Sequence, residues 1–195
     1  MTVADIAHTP VATLRKALGE HGAALHELAW GRDPRRVTPV HTEKSVGADE
    51  TFSADIDDPV EIHRRLLRLS HRTASRARDA GMMGRTVTIR VRFSDFTTIT
   101  RSRTLRDATD VGRDVYLHAK ELFDALGLQR ARIRLVGVRL EGLTDARATP
   151  VQGLLDEPEH GWRDADLAMD RARARFGAGV VRPASLIAPD SHSDP

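Results

Sequence analysis

Between Thr86 and Phe93 the chain alternates Val87, Ile89, Val91 and Phe93 with Thr86, Thr88, Arg90 and Arg92. An extended segment with that pattern buries the first set and turns hydroxyls and guanidinium groups outward. A second run places Thr98, Thr100, Ser102 and Thr104 at alternate positions, and a third offers Arg132, Arg134 and Arg139 to solvent around Ile133 and Leu135. Guanidinium forks, short hydroxyls and backbone amides hold phosphate oxygens through charge-assisted hydrogen bonds without reading base edges. No aromatic residue lies between Thr97 and Thr109, which disfavours stacking of unpaired bases on the third strand. A solvated cationic face would give the same alternation, and the preference for arginine over lysine suits forked phosphate contacts but also follows from a GC-rich genome.

Charge is unevenly spread over the 195 residues. The net charge is only +2, yet Arg85 to Arg106 holds six arginines against the single acid Asp95, and Arg130 to Arg139 holds four against none. After Pro150 the balance reverses, with eight acids and five arginines. Where the charge sits is therefore the pointer, not its total. Cysteine is absent, which excludes disulfides and thiolate metal sites, and no apolar run reaches the length of a signal core or membrane span. The expected location is cytoplasmic. None of the nine histidines is three or four residues from another, so no helical face presents two imidazole ligands. Neither a nucleophile elbow nor a phosphate-cradling glycine loop is present, and the acidic pairs Asp49–Glu50 and Asp164–Asp166 read as solvated or capping groups.

The elements that must position these side chains follow from periodicity and caps. Residues 2–31 read as short helices, with Thr9 capping, Pro10 at a first helical position and breaks at Gly19 and Gly22; residues 31–42 read as a connector. Asp58 as cap, Pro59 behind it and Glu61 begin a helix whose buried stripe is Val60, Leu66, Leu67, Ser70, Ala74 and Ala77, ending at Gly81. A second helix is predicted from Asp110 through Val115, Ala119 and Leu122 to Gly127. Strand one, around Lys44 to Phe52, is less regular, and strand four changes phase at Val136 and Gly137, which suggests a bulge there. The fold class is α+β: β-α-β-β-α-β with a four-stranded antiparallel sheet, both helices on one face and the other face free. A tail helix from about Asp164 to Phe176 follows.

The peptides Lys44–Phe52, Ile99–Thr104 and Val136–Leu140, in that order, closely resemble the C-terminal little-finger domain of Y-family DNA polymerases, with the strongest likeness to DNA polymerase IV of the DinB type in an actinobacterial form. The resemblance divides the chain into the end of a thumb (1–36), a linker (37–43), the little finger (44–143), a clamp-binding motif with tail helix (144–182) and a disordered end (183–195). It implies that the chain is a C-terminal fragment, inactive alone, of an error-prone translesion polymerase. The parent would add deoxynucleotides opposite damaged bases with magnesium held in a palm domain, and the fragment itself would need no cofactor. Partners implied are primer-template duplex, the palm, fingers and thumb of the parent, and the sliding clamp (the beta subunit of DNA polymerase III).

By position, the resemblance puts DNA contacts at Lys44, Ser45, Thr100, Ser102, Thr104, Arg134 and Arg139, with Arg90, Arg92, Arg101 and Arg103 added. Leu135 stands where some relatives carry a second basic residue. Gln152, Leu154 and Leu155 resemble the peptide that enters the clamp's hydrophobic cleft, with Asp156 where an aromatic or leucine is often found. Two other readings compete: a module whose arginine face meets an acidic protein, and a stand-alone RNA-binding module.

Overall fold

The computed structural model describes residues 2–36, 43–128, 130–148, 161–177 and 179–186. The chain divides into two compact units, Met1–Thr42 and Glu43–Pro195. The first holds α1 (Val3–His8), α2 (Val11–Leu18) and α3 (Glu20–Ala29). Thr9 does not cap α2 with its side chain: it ends α1, and its hydroxyl donates to the Asp5 carbonyl, leaving Pro10 at the cap. Gly19 breaks the chain at φ +65. Gly22 lies inside α3 instead of ending it, where a Cβ would fall 2.3 Å from the Leu14 carbonyl oxygen.

The second unit runs β1 (Ser45–Ile56), α4 (Pro59–Asp79), β2 (Met82–Phe93), β3 (Thr98–Thr109), α5 (Gly112–Asp124), β4 (Ile133–Asp145) and α6 (Trp162–Phe176). The sheet is four-stranded and antiparallel, in the order β1-β4-β2-β3. Each crossover, β1-α4-β2 and β3-α5-β4, spans one intervening strand, and the two run in opposite directions along antiparallel strands. The right-handed preference for such connections then puts both helices on the same face. Their apolar stripes close a core in which Ile62, Leu66, Ala74, Val87, Val91, Val115, Ala119, Val136 and Leu140 are 0% exposed. Each buried valine, leucine or isoleucine contributes about 1.5–3 kcal/mol of transfer free energy at most.

Asp58 caps α4 as expected, accepting from the Val60 amide at 2.9 Å, and Gly81 ends it at φ +67. Val60 leaves the expected stripe and is exposed, while Ile62 takes the buried place. Asp110 does not begin α5, which starts at Gly112 with Val111 as cap. It is wholly buried instead, its carboxylate held by both ends of the Arg163 guanidinium at 2.7 and 2.9 Å. The irregularity of β4 falls one turn of the pleat earlier than expected. Val136 to Leu140 pair without a break, and the register slips between Leu135 and Ile133, so that Arg134 is the extra residue and Ile133 returns to the core.

The tail helix α6 docks on α4 and α5 through charge. Asp166, expected to be solvated, is 3% exposed and accepts from the Gly112 amide at 2.7 Å and from Arg78 at 3.1 Å. Arg78 also reaches Asp170 at 2.7 Å and the Asp110 carbonyl. Burial disfavours the Asp166 charge, but the neighbouring His71, the Gly112 amide and the Arg78 guanidinium outweigh it and hold the carboxyl below its ordinary value. Within the stretch expected to be disordered, Ala184–Leu186 forms a short 3-10 turn.

Candidate nucleic-acid interface

The strand registers set four rows of side chains across the face opposite α4 and α5. From β1 through β4 and β2 to β3 these are Ser45–Glu141–Thr86–Thr104, Gly47–Arg139–Thr88–Ser102, Asp49–Gly137–Arg90–Thr100 and Thr51–Leu135–Arg92–Thr98. Arg90, Arg92, Arg139, Ser45, Thr100, Ser102 and Thr104 therefore share one surface. Its sixteen positions include no aromatic side chain, so the surface offers hydrogen bonds and charge without a platform for a base.

Charge on this surface is less one-sided than the strand sequences suggest, because Asp49 and Glu141 also stand on it. Arg90 donates to the Asp49 carboxylate at 3.2 Å. The pair reaches from β1 to β2 by crossing β4 above Gly137, where a Cβ would lie 1.7 Å from Asp49 Oδ1. Arg139 has no ion-pair or hydrogen-bond partner among the described residues, and its stem lies against Gly47, where an added Cβ would come within 3.2 Å of its Cβ and Cγ. Arg92 is tied to Thr98 Oγ1 at 3.0 Å, and the Thr86 and Thr104 hydroxyls bond each other at 3.0 Å. The Thr88 hydroxyl is buried without a partner among the described residues. Arg139 is thus the unneutralised cation at the middle of the surface, with Thr88, Ser102 and Gly47 in its row.

Arg134 belongs to the rim. As the extra residue of the β4 irregularity it lies with its guanidinium 4.8 Å from the centre of the Phe96 ring and 3.9 Å from Asp55; Phe96 sits at φ 66 in the tight turn between β2 and β3. Arg132 is likewise near Asp55, at 3.5 Å. Lys44, exposed, precedes β1. Arg101 and Arg103 do not join the surface. They lie opposite Ile89 and Val87 and so point to the helix side, where Arg103 pairs with Glu121 of α5 and Arg101 reaches the Thr100 carbonyl at 3.0 Å. Strand alternation alone requires this, since residues 101 and 103 have the opposite parity to the hydroxyls at 100, 102 and 104. Leu135 does lie on the surface, 8% exposed between Thr51 and Arg92. What the sequence concealed was the pair of acids and the glycine that lets Asp49 cross. A glycine within a strand was the available signal.

Gln152, Leu154 and Leu155 fall outside the described residues. No group of three or more His, Asp or Glu among the described residues is placed to hold a metal ion. No helix among them is long and apolar enough to cross a membrane.

Residues 43–155 match the model of the impB/mucB/samB family C-terminal domain. The chain is 35% identical over 188 residues, 95% of its length, to DNA polymerase IV of Desulfatibacillum aliphaticivorans, of which it covers 48%. It is 39% identical over 145 residues, 74% of its length, to DNA polymerase IV of Streptomyces coelicolor, covering 30% of that protein. The chain spans about half the length of curated relatives that it matches nearly end to end. A solved Y-family DNA polymerase chimera shares its fold with a TM-score of 0.54 at 18% identity, over 73% of this chain and 41% of the other.

Proposed function

Since the chain belongs, through residues 43–155, to the impB/mucB/samB family C-terminal domain, we propose that its open sheet face grips the phosphate backbones of primer-template duplex DNA without regard to sequence. The observation that carries this is the unneutralised Arg139, on the same sheet face as Arg92 and the hydroxyls of Thr100, Ser102 and Thr104, opposite α4 and α5. Arginine forks and hydroxyls position a duplex, and base-specific readout would need side chains reaching into a groove. Lys44, Ser45 and Arg134 extend the grip at the two ends of the sheet.

The whole protein, on this reading, is a translesion DNA polymerase of the DNA polymerase IV type. It adds deoxynucleotides opposite damaged template bases, with magnesium held by a palm domain, and works in the cytoplasm. Gln152, Leu154 and Leu155 tether it to the sliding clamp, and that tether raises the local concentration of the sheet face at DNA already encircled. This chain supplies grip and tether, and none of its described side chains performs the nucleotidyl transfer.

The test is duplex binding by fluorescence anisotropy over a salt series. For the native chain log K falls with log salt by about 0.9 for each phosphate neutralised, and Arg92→Ala with Arg139→Ala weakens all duplex sequences alike and makes the slope shallower by about that amount per contact. Salt-independent binding, or a loss confined to one sequence, contradicts the reading. Retention on immobilised sliding clamp, compared between the native chain and Gln152→Ala/Leu155→Ala, tests the tether; equal retention removes it.

A further inference from the structure

The outer face of α4, on the side of the unit away from the open sheet face, carries a second cationic surface. Arg64, Arg68, Arg72 and Arg76 recur every fourth residue of α4, each step advancing about 6 Å along the axis. Together with Arg173 of α6 and Arg182 they line a groove of about 700 Å³ whose far wall is the segment around the 3-10 turn; Glu61 is the only acid of its lining. Several of these guanidinium groups have fixed duties. Arg68 is held by Glu50, Arg76 donates to the Gly47 carbonyl at 2.8 Å, and Arg173 reaches the Val181 carbonyl at 3.3 Å. Arg72 and Arg182 are exposed and have no partner among the described residues. Arg64 and Arg173 also lie 3.8 and 3.7 Å from Glu61 and Asp170, so the fold places two unpaired arginines, Arg72 and Arg182, in one groove, where an anion between them would relieve their repulsion.

We propose that this groove binds the phosphate backbone of a single nucleic-acid strand. The constant step of the row matches a chain of evenly spaced anions, and guanidinium forks match phosphate oxygens. Arginine clusters also take acidic peptides, but the charges of a peptide follow its side chains, whereas a nucleic-acid backbone repeats at the constant step of this row; between the arginines the lining adds the hydroxyls of Ser75 and Ser185 beside Val181, Pro183 and Leu186. The groove's size suits a few nucleotides of one strand, whereas a duplex needs a broad surface of the kind the sheet offers. The molecule would then hold duplex on one side and an unpaired strand on the other.

Fluorescence anisotropy of the full chain with labelled oligothymidylate and with a duplex separates the two. Arg72→Ala/Arg182→Ala should lose oligothymidylate affinity several-fold, with a salt slope shallower by about 0.7 for each phosphate contact removed, and should keep native duplex binding. Arg92→Ala/Arg139→Ala should do the reverse. Unchanged oligothymidylate binding by the groove variant overturns the proposal. So does competition by polyglutamate that oligothymidylate does not match, which would assign the groove to an acidic protein. On the unaltered chain, oligothymidylate should protect Arg72 and Arg182 from phenylglyoxal, and protection of Arg139 in their place would also overturn it.

Discussion

The Asp49–Arg90 pair is the point at which one side chain controls the character of the sheet face. It is about a third exposed on each side, so its own contribution to stability is small, about 0–1 kcal/mol. Its effect on binding is larger, because it neutralises one of the three arginines of the surface. Asp49→Asn should free Arg90 and tighten duplex binding, with a steeper salt slope by about 0.9 if the freed guanidinium takes a phosphate; weaker binding would mean that Asp49 orients Arg90 for its contact. Gly137→Ala forces a Cβ to within 1.7 Å of Asp49 Oδ1, so the carboxylate must leave. We expect a loss of about 1–3 kcal/mol in urea unfolding, largely recovered when Asp49→Ala is added. The strand sequences could not reveal this contact. Asp49 and Glu50 look alike as neighbouring acids, but alternation sends Asp49 to the open face and Glu50 to the helix side, where it meets Arg65 and Arg68. Which arginine each acid meets depends on a register between strands distant in the chain.

The helices and strands themselves were largely legible. A cap, a proline and an apolar stripe gave α4, strict alternation gave β2 and β3, and Gly127, at φ +60, closed α5. The strand order and the position of the β4 irregularity were not, because both are properties of pairing. The docking of α6 was equally hidden: acids in a first helical turn read as solvated or capping groups, and only the fold shows Asp166 meeting Arg78. Both side chains are 4% exposed, so removing one partner strands the other. Arg78→Ala should cost about 3–5 kcal/mol and raise hydrogen exchange throughout α6 more than in β2. The same contact predicts a pH dependence. Because the Asp166 carboxyl is held below its ordinary value in the folded chain, the unfolded chain binds more protons in the acid range. The stabilisation is complete above the usual carboxylate pKa and is lost as pH falls through the lower folded value. Urea midpoints measured downward from neutral pH should therefore decline, and Asp166→Asn should start lower and decline less. Parallel curves for the two chains would remove Asp166 from this role.

The molecule as a whole is two units of very different self-sufficiency, and this bears on which of them carries the interface. Residues 43–195 contain the entire sheet, both covering helices and the continuous core. In residues 1–42 only Ala7, Leu14 and Gly22 are buried among the described positions, and no cysteine is present to staple so short a segment. Below about 40 residues a hydrophobic core alone seldom offsets chain entropy. A chain beginning at Glu43 should accordingly unfold in a single cooperative transition and bind duplex with the same salt slope as the full chain, since every residue of the four sheet rows is retained. The separate 1–42 peptide should give a circular dichroism spectrum dominated by coil, with helix recovered only on adding a helix-promoting alcohol. If the shortened chain lost duplex affinity while keeping its cooperative transition, phosphate contacts from the first unit would have to be added to those of the sheet. The modest charge of the open face, three arginines against Asp49 and Glu141, would then be the reason that more contacts were needed.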